Sequence, residues 1–342
     1  RPAATIPAPK LSPIAASAGS PFARMLSIAS FVPSRVVDNA EMCTYIDSSD
    51  EWIQQRTGIA ERRWVGEGEN VETMALAAAR TAIERAGIAP AEIDAVIVST
   101  VTYFHQTPSL AAKLAFQLGT NGAAFDISAA CAGFCYGLAQ AEALVRSGAA
   151  SHVVVIGVEE LSRFTDIHDR GTAFLFADGA GAAVVGPSDT NGIGPVVWGS
   201  DGGQSGAIDQ TREWGMPGAD DTNAPPYIRM DGRAVFKWAS SFIADATKQV
   251  LDAAGLQPEE LDVFIPHQAN NRITDAMLRH LKLPDNVVVA RTIKQFGNNS
   301  AASVPMAMDQ LLASGEAKSG QTALLIGFGA GLVYAGQVVT LP

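Results

Sequence analysis

The 342-residue chain is poor in charge, in cysteine and in long apolar runs, and each shortage excludes something. Charged residues make up 17% of it, 24 basic against 35 acidic, for a net charge of −11. That balance lacks the basic excess of a nucleic-acid binder. Three cysteines are too few for a disulfide scaffold and fit a reduced, cytoplasmic protein, so each thiol must be judged singly. No apolar run approaches the ~20 residues of a membrane span. The longest candidate, 323–336, is broken by Gly327, Gly329 and Gly331. No pair of His or Cys has metal-ligand spacing, so no metal site is expected. There is no P-loop, and Gly327-Phe-Gly-Ala-Gly331 lacks the spacing and following helix of a dinucleotide fingerprint.

Hydrophobic residues, at 47%, exclude general disorder, and the length favours two domains. Residues 1–21 are the exception. They begin with four Pro and six Ala in twenty positions and no acidic residue, and they predict a disordered extension. With Arg1 in place of Met, the native start is expected to have been removed or omitted. From residue 22 onwards strand-like and helix-like runs alternate. Strands are expected at 95–100, 153–156, 182–185, 263–265 and 324–326, and helices at 72–86, 109–118, 132–147, 240–254 and 271–281. Continuously apolar strands imply a sheet covered on both faces.

An internal repeat sharpens this. Ala86-Gly87-Ile88-Ala89-Pro90-Ala91-Glu92-Ile93-Asp94 recurs as Ala254-Gly255-Leu256-Gln257-Pro258-Glu259-Glu260-Leu261-Asp262, 168 residues on. Each copy ends a helix at Gly, turns at Pro and enters a strand. A period of half the chain is a duplicated domain, with 22–190 and 191–342 as the halves and a site expected where they meet.

Cys131 lies between an apolar strand and an Ala-rich helix, among small residues. A thiol at a helix N-terminus is expected to have a lowered pKa, although a buried packing cysteine reads equally well. Cys135 and Cys43 read as packing. His267 follows the second copy of the repeated strand, at the strand's C-terminal end, where α/β sheets place active-site residues. A histidine bonding its own loop is the competing reading. Gly297-Asn298-Asn299-Ser300 is ordinary turn and capping chemistry on its own. The glycines of 327–331 let backbone N–H groups face a substrate oxygen.

Together these segments resemble the β-ketoacyl-[acyl-carrier-protein] synthase III family of thiolase-like condensing enzymes. The resemblance rests on Ala130-Cys131-Ala132-Gly133-Phe134, His267-Gln-Ala-Asn270, Gly297-Asn298-x-Ser-Ala-Ala-Ser-Val-Pro305 and Gly327-Phe-Gly-x-Gly331. It continues through Asp50-Glu-Trp52-Ile-x-x-Arg56-Thr-Gly-Ile59, Asp169-Arg170-Gly-Thr and Phe176-x-Asp-Gly-Ala-Gly181, in order from residue 22 to the end. It implies an α/β thiolase-like fold, two duplicated halves in five α-β-α-β-α layers. Cys131 would be the nucleophile in the first half, with His267 and Asn298 in the second. The N–H groups of Cys131 and Ala330 would form the oxyanion hole. The family usually has Gly at the latter position, so Ala330 must tolerate the backbone angles there.

The resemblance further implies acyl-CoA as a substrate rather than a bound cofactor. Trp52, Arg56, Arg170 and Asn270 would bind the coenzyme. Malonyl-acyl carrier protein would dock on Lys237, Arg272 and Arg279, and the chain would form a homodimer. Thr107 stands where acetyl-specific relatives carry Phe reaching across the dimer to floor the acyl pocket, so a branched or medium-length primer is expected. Residues 201–227, rich in Gly, Pro and Asp, predict a mobile lid or entrance loop. Decarboxylative condensation that starts fatty-acid synthesis is the leading function. A starter-unit ketosynthase of a polyketide pathway is its rival, and acyl transfer without condensation a second alternative, against which the intact Asn298 counts.

Overall fold

Consecutive apolar residues become strands buried on both faces. The computed structural model describes residues 14–215 and 225–342. Five strands form the first sheet: β1 (Phe22–Phe31), β2 (Ala95–Ser99), β3 (Ala123–Ile127), β4 (Val153–Glu160) and β5 (Asp178–Ser188), in the order β1-β5-β4-β2-β3. The second sheet holds β6 (Val197–Ser200), β7 (Val263–Pro266), β8 (Val288–Val289), β9 (Thr322–Gly329) and β10 (Val333–Thr340), in the order β8-β7-β9-β10-β6. The two orders are the same plan. In each, three parallel strands adjoin two antiparallel ones.

The repeat recurs in detail. Gly87 and Gly255 end their helices in the left-handed region at φ 68° and 70°. The Asp94 carboxylate accepts from Ser151 N–H at 2.6 Å, and Asp262 accepts from Thr322 N–H at 2.9 Å. Each acid thus ties the start of one parallel strand to the chain entering the next.

Among the described residues, eight helices of seven residues or more complete the layers: α1 (Asp50–Thr57), α2 (Val71–Ala86), α3 (Leu110–Leu118), α4 (Gly133–Ser147), α5 (Gly232–Trp238), α6 (Ala244–Ala254), α7 (Asn271–Leu281) and α8 (Ser303–Ser314). The pleat sorts the strand side chains between them. In β4, Val153 and Val155 face α4, while Val154, Ile156 and Val158 face α2. In β9, Ala323 and Leu325 join the same inner cluster, and Leu324, Ile326 and Phe328 pack outward beneath α6 and α7. With α4 and α8 between the sheets, the layering is α-β-α-β-α. Each fully buried Leu, Ile or Phe of that middle core contributes about 1.5–3 kcal/mol.

Three expectations need adjusting. The strand expected at 182–185 runs from Asp178 to Ser188, because its glycines are packing residues and not a turn. A Cβ on Gly181 would lie 2.5 Å from Pro305 of α8. The helix expected at 240–254 begins at Gly232, capped by the Asp231 carboxylate, and passes through a five-residue π-helical turn at Ala239–Ile243. Part of the expected entrance loop is regular: Ile208–Gln210 pairs antiparallel with Ile228–Met230, while 216–224 lie outside the described residues.

Residues 1–13 of the expected extension also lie outside the described residues. Ser20 N–H already donates to Val145 C=O at 3.3 Å, at the end of α4. Among the described residues no helix is long and apolar enough to cross a membrane.

Candidate active site

The two inner helices are each entered through a single strained turn. Ala130–Ala132 leads into α4 and Ser300–Ala302 into α8, with Ala130 at φ 45° and Ser300 at φ 47°. Non-glycine residues in this region cost of order 1–3 kcal/mol and persist only where packing enforces them. Both turns face one cavity of about 810 Å³, lined by Cys131, His267, Asn270, Asn298, Phe328 and Ala330 among others. Residues 131, 267 and 298, from three separate segments, therefore share one site.

Cys131 rests against the end of β9. A Cβ on Gly329 would lie 2.8 Å from Cys131 Cβ and 2.9 Å from its Sγ, so only glycine permits this approach. The thiol corrects the expectation of a lowered pKa: burial pushes it up to about 12, against opposition from the Ser300 hydroxyl and the Cys131 backbone. Desolvation of the charged form outweighs the helix N-terminus. Cys131 is a neutral thiol at rest.

His267 continues from β7, and its N–H donates to Ile326 C=O at 2.7 Å. His267 as a whole is 3% exposed, and its ring lies edge-on to Phe328 at 5.3 Å with Nδ1 2.7 Å from Ser303 Oγ. Burial drives its pKa down to about 3, so the imidazole is neutral at any ordinary pH. Asn298 is fixed by its backbone, with N–H donating to Leu175 C=O at 2.9 Å. Its Oδ1 accepts from Ser300 N–H at 3.0 Å, which leaves the Nδ2 donor for the cavity. Asn299 turns away, its Nδ2 3.2 Å from Met306 Sδ.

Ala330 meets the proviso on its backbone. The positive φ values of that turn fall on Gly331 and Leu332, at 78° and 42°, and not on Ala330. Trp52 of α1 meets Arg56 and Arg170, whose guanidinium carbons lie 5.6 and 5.9 Å from its ring centroid, with Phe174 edge-on. This cluster lies outside the cavity lining. Asn270 lines the cavity and caps α7, its Oδ1 accepting from Arg272 N–H at 2.8 Å. Lys237, Arg272 and Arg279 are exposed on α5 and α7. Arg272 sits 5.6 Å above the Phe236 ring, which itself lines the cavity. Thr107 is exposed and does not line the cavity, although Gln106 does. Among the described residues no group of three His, Cys, Asp or Glu could hold a metal ion.

Two site residues were missed in the sequence. Ser303 lay in a quoted motif without a role, and only its contact with His267 reveals one. Glu159, next to last in β4, is fully buried, with Oε1 accepting from Val101 N–H at 2.7 Å and Oε2 lacking a hydrogen bond. Burial raises its pKa to about 7, and its charge raises that of Cys131. The folded protein therefore holds a proton at Glu159 that the unfolded chain releases above pH ~4.5, so this group's contribution to stability declines as pH rises towards 7. Glu159→Gln is expected to be up to about 3 kcal/mol more stable than the parent at pH 8, and no more stable at pH 4.5. Denaturant titrations at the two pH values decide it; a gain independent of pH would refute the assignment.

Comparison with known proteins agrees with this geometry. Residues 125–202 match the model of 3-oxoacyl-[acyl-carrier-protein] synthase III, and 251–341 match the model of its C-terminal part. The β-ketoacyl-[acyl-carrier-protein] synthase III of Streptomyces glaucescens is 54% identical over 333 residues, covering 97% of this chain and all of that one. The chain belongs to the β-ketoacyl-[acyl-carrier-protein] synthase III family. A mycobacterial member, from Mycolicibacterium paratuberculosis, is 50% identical over 96% of this chain and 98% of its own. Among solved structures, the priming β-ketosynthase of a polyketide pathway superposes with a TM-score of 0.93 at 46% identity, covering 97% and 99% of the two chains. The Aquifex aeolicus 3-oxoacyl-[acyl-carrier-protein] synthase III gives 0.85 at 37% identity over 93% and 99%. As a synthase III, the chain is a condensing acyltransferase of thiolase fold.

Proposed function

We propose that the chain joins an acyl-CoA primer to malonyl-acyl carrier protein through an acyl-Cys131 intermediate, giving the 3-oxoacyl-carrier protein that starts fatty-acid synthesis. The observation that carries the reading is the sharing of one cavity by Cys131, a neutral His267 and an Asn298 whose amide donor is free.

In the first half-reaction Cys131 loses its proton to solvent, the thiolate attacks the thioester carbon, and CoA leaves as a thiolate that takes up a proton. In the second, malonyl-carrier protein loses CO₂. His267 Nε2–H and Asn298 Nδ2–H hold the enolate oxygen. The enolate carbon attacks the acyl-Cys131 carbonyl, whose oxyanion meets the N–H groups of Cys131 and Ala330, and the Cys131 sulfur departs as a thiolate that recovers its proton from water. Neutral donors suit a step in which CO₂ leaves and no C–H proton is removed.

Coenzyme A is assigned to Trp52, Arg56, Arg170 and Asn270, with base stacking on an aromatic ring worth ~1–3 kcal/mol. Docking of the acidic carrier is assigned to Lys237, Arg272 and Arg279, exposed beside the cavity-lining Phe236. A homodimer accounts for β3 ending the first sheet with no partner strand among the described residues and for Phe116 on α3, 85% exposed. Three free cysteines suit the cytoplasm. The likeness to a priming ketosynthase supports a second reading, in which the same condensation starts a polyketide.

The test is intact-protein mass spectrometry after incubation with acyl-CoA, then with malonyl-carrier protein. An acyl adduct on Cys131, discharged with release of CO₂, is expected; an adduct that never yields CO₂ would overturn the reading. Thr107, exposed in the single chain, would reach the primer pocket across the homodimer that the resemblance implies, and kcat/KM is expected to be several-fold higher for isobutyryl-CoA or butyryl-CoA than for acetyl-CoA. Equal or better acetyl-CoA turnover would reject that assignment.

A further inference from the structure

The enolate-binding role just assigned to His267 requires the ring proton on Nε2, and a neutral imidazole can equally carry it on Nδ1. Something must choose. We propose that Ser303, the first residue of α8, is a positioning residue that fixes His267 as its Nε2–H tautomer by donating its hydroxyl proton to Nδ1. This rests on the condensing function proposed above.

The hydroxyl's surroundings leave it one use for that proton. Ser303 Oγ accepts from Gln268 N–H at 3.3 Å and stands 2.7 Å from His267 Nδ1. A helical serine commonly donates to the carbonyl one turn back. Here Ser303 Oγ makes no such bond: among the described residues its partners are His267 Nδ1 and the Gln268 N–H that donates to it. Ser303 is 1% exposed, so no water competes for the bond. Phe328, edge-on to the imidazole, opposes a ring flip that would exchange the two nitrogens. Gln268 is itself fixed, its Nε2 donating to Pro266 C=O at 2.9 Å and its Oε1 accepting from Ile293 N–H at 3.1 Å. The residue after His267 is therefore immobile, and its N–H holds the serine oxygen in place.

The experiment is ¹⁵N NMR of histidine-labelled protein, with Cys131 acylation and condensation measured separately in the parent, Ser303→Ala and Ser303→Thr. The expected result is a protonated-type Nε2 and a bare Nδ1 at His267 in the parent. Ser303→Ala should give a mixture of tautomers and lose condensation on the order of 10–100-fold, with acylation within about twofold of the parent. Ser303→Thr, which keeps the hydroxyl, should restore both signals. A proton on Nδ1 in the parent would overturn the proposal. So would an unaltered tautomer in Ser303→Ala, or equal losses in both half-reactions. Failure of the condensing function would appear as a parent that acylates without releasing CO₂, a result independent of the NMR signature.

Discussion

Cys131→Ala is expected to give a folded protein that acyl-CoA cannot label and whose condensing activity is down roughly a millionfold, the scale on which removal of a covalent nucleophile is felt. Folding should survive because the side chain faces the cavity, and alanine keeps the N–H at that position. The remaining thiols are internal controls. Cys135 is buried one turn along α4, and burial raises its pKa to about 12. Cys43 lies outside the cavity lining. Intact mass spectrometry of the variant after acyl-CoA incubation reads the result directly, and an adduct that persists would place the nucleophile elsewhere.

The same residue sets a pH dependence. With the Cys131 thiol raised to about 12, the thiolate fraction grows tenfold per pH unit through neutrality. Acylation in the parent should therefore climb steadily between pH 6 and 9. A plateau near pH 8 would mean that an ordinary thiol is attacking.

Removing either enolate donor is expected to separate the two half-reactions. His267→Ala and Asn298→Ala should each lower condensation by about 10²–10³, the loss of about 3–4 kcal/mol from one well-placed donor, while acyl-Cys131 still forms. The double variant should lose less than the product of the two, because both donors serve one oxygen. Rapid-quench measurement of CO₂ release from malonyl-carrier protein on pre-acylated enzyme isolates the step. If acylation fell in parallel, His267 would be acting as a base for the thiol.

His267 itself should add no ionisation to the condensation profile between pH 5 and 9, since its folded pKa is about 3. Its effect on stability has the opposite sign to that of Glu159. The unfolded chain gains a proton near pH 6.5 that the folded ring refuses, so this contribution is lost as pH falls from about 6.5 towards 3.

Much of this was legible in the sequence because it is local or periodic. The repeat around Asp94 and Asp262 anticipated two sheets of one plan, and the strand-to-helix junction anticipated the place of Cys131 between β3 and α4. What escaped depends on which residues face one another across layers. The helix N-terminus beside Cys131 is visible along the chain, whereas the burial that reverses its effect on the thiol is not. Ser303 gains its role only when β7 brings His267 beside α8, 36 residues away along the chain. The strand expected at 182–185 stopped short of Gly181 because the space that glycine leaves belongs to Pro305, far along the chain.

The duplication also fixes a stoichiometry. By the repeat, the counterpart of His267 is Ser99, at the end of β2, and the matching strained turns pair Cys131 with Ala301. Each copy has kept a different part of the machinery. The packing around the two turns matches as well: a Cβ on Gly157 would lie 2.1 Å from the Ala301 carbonyl oxygen, and one on Gly327 2.9 Å from that of Cys131. Among the described residues only one of the two matching turns carries a thiol, so on the proposed chemistry a fully charged chain carries one acyl group.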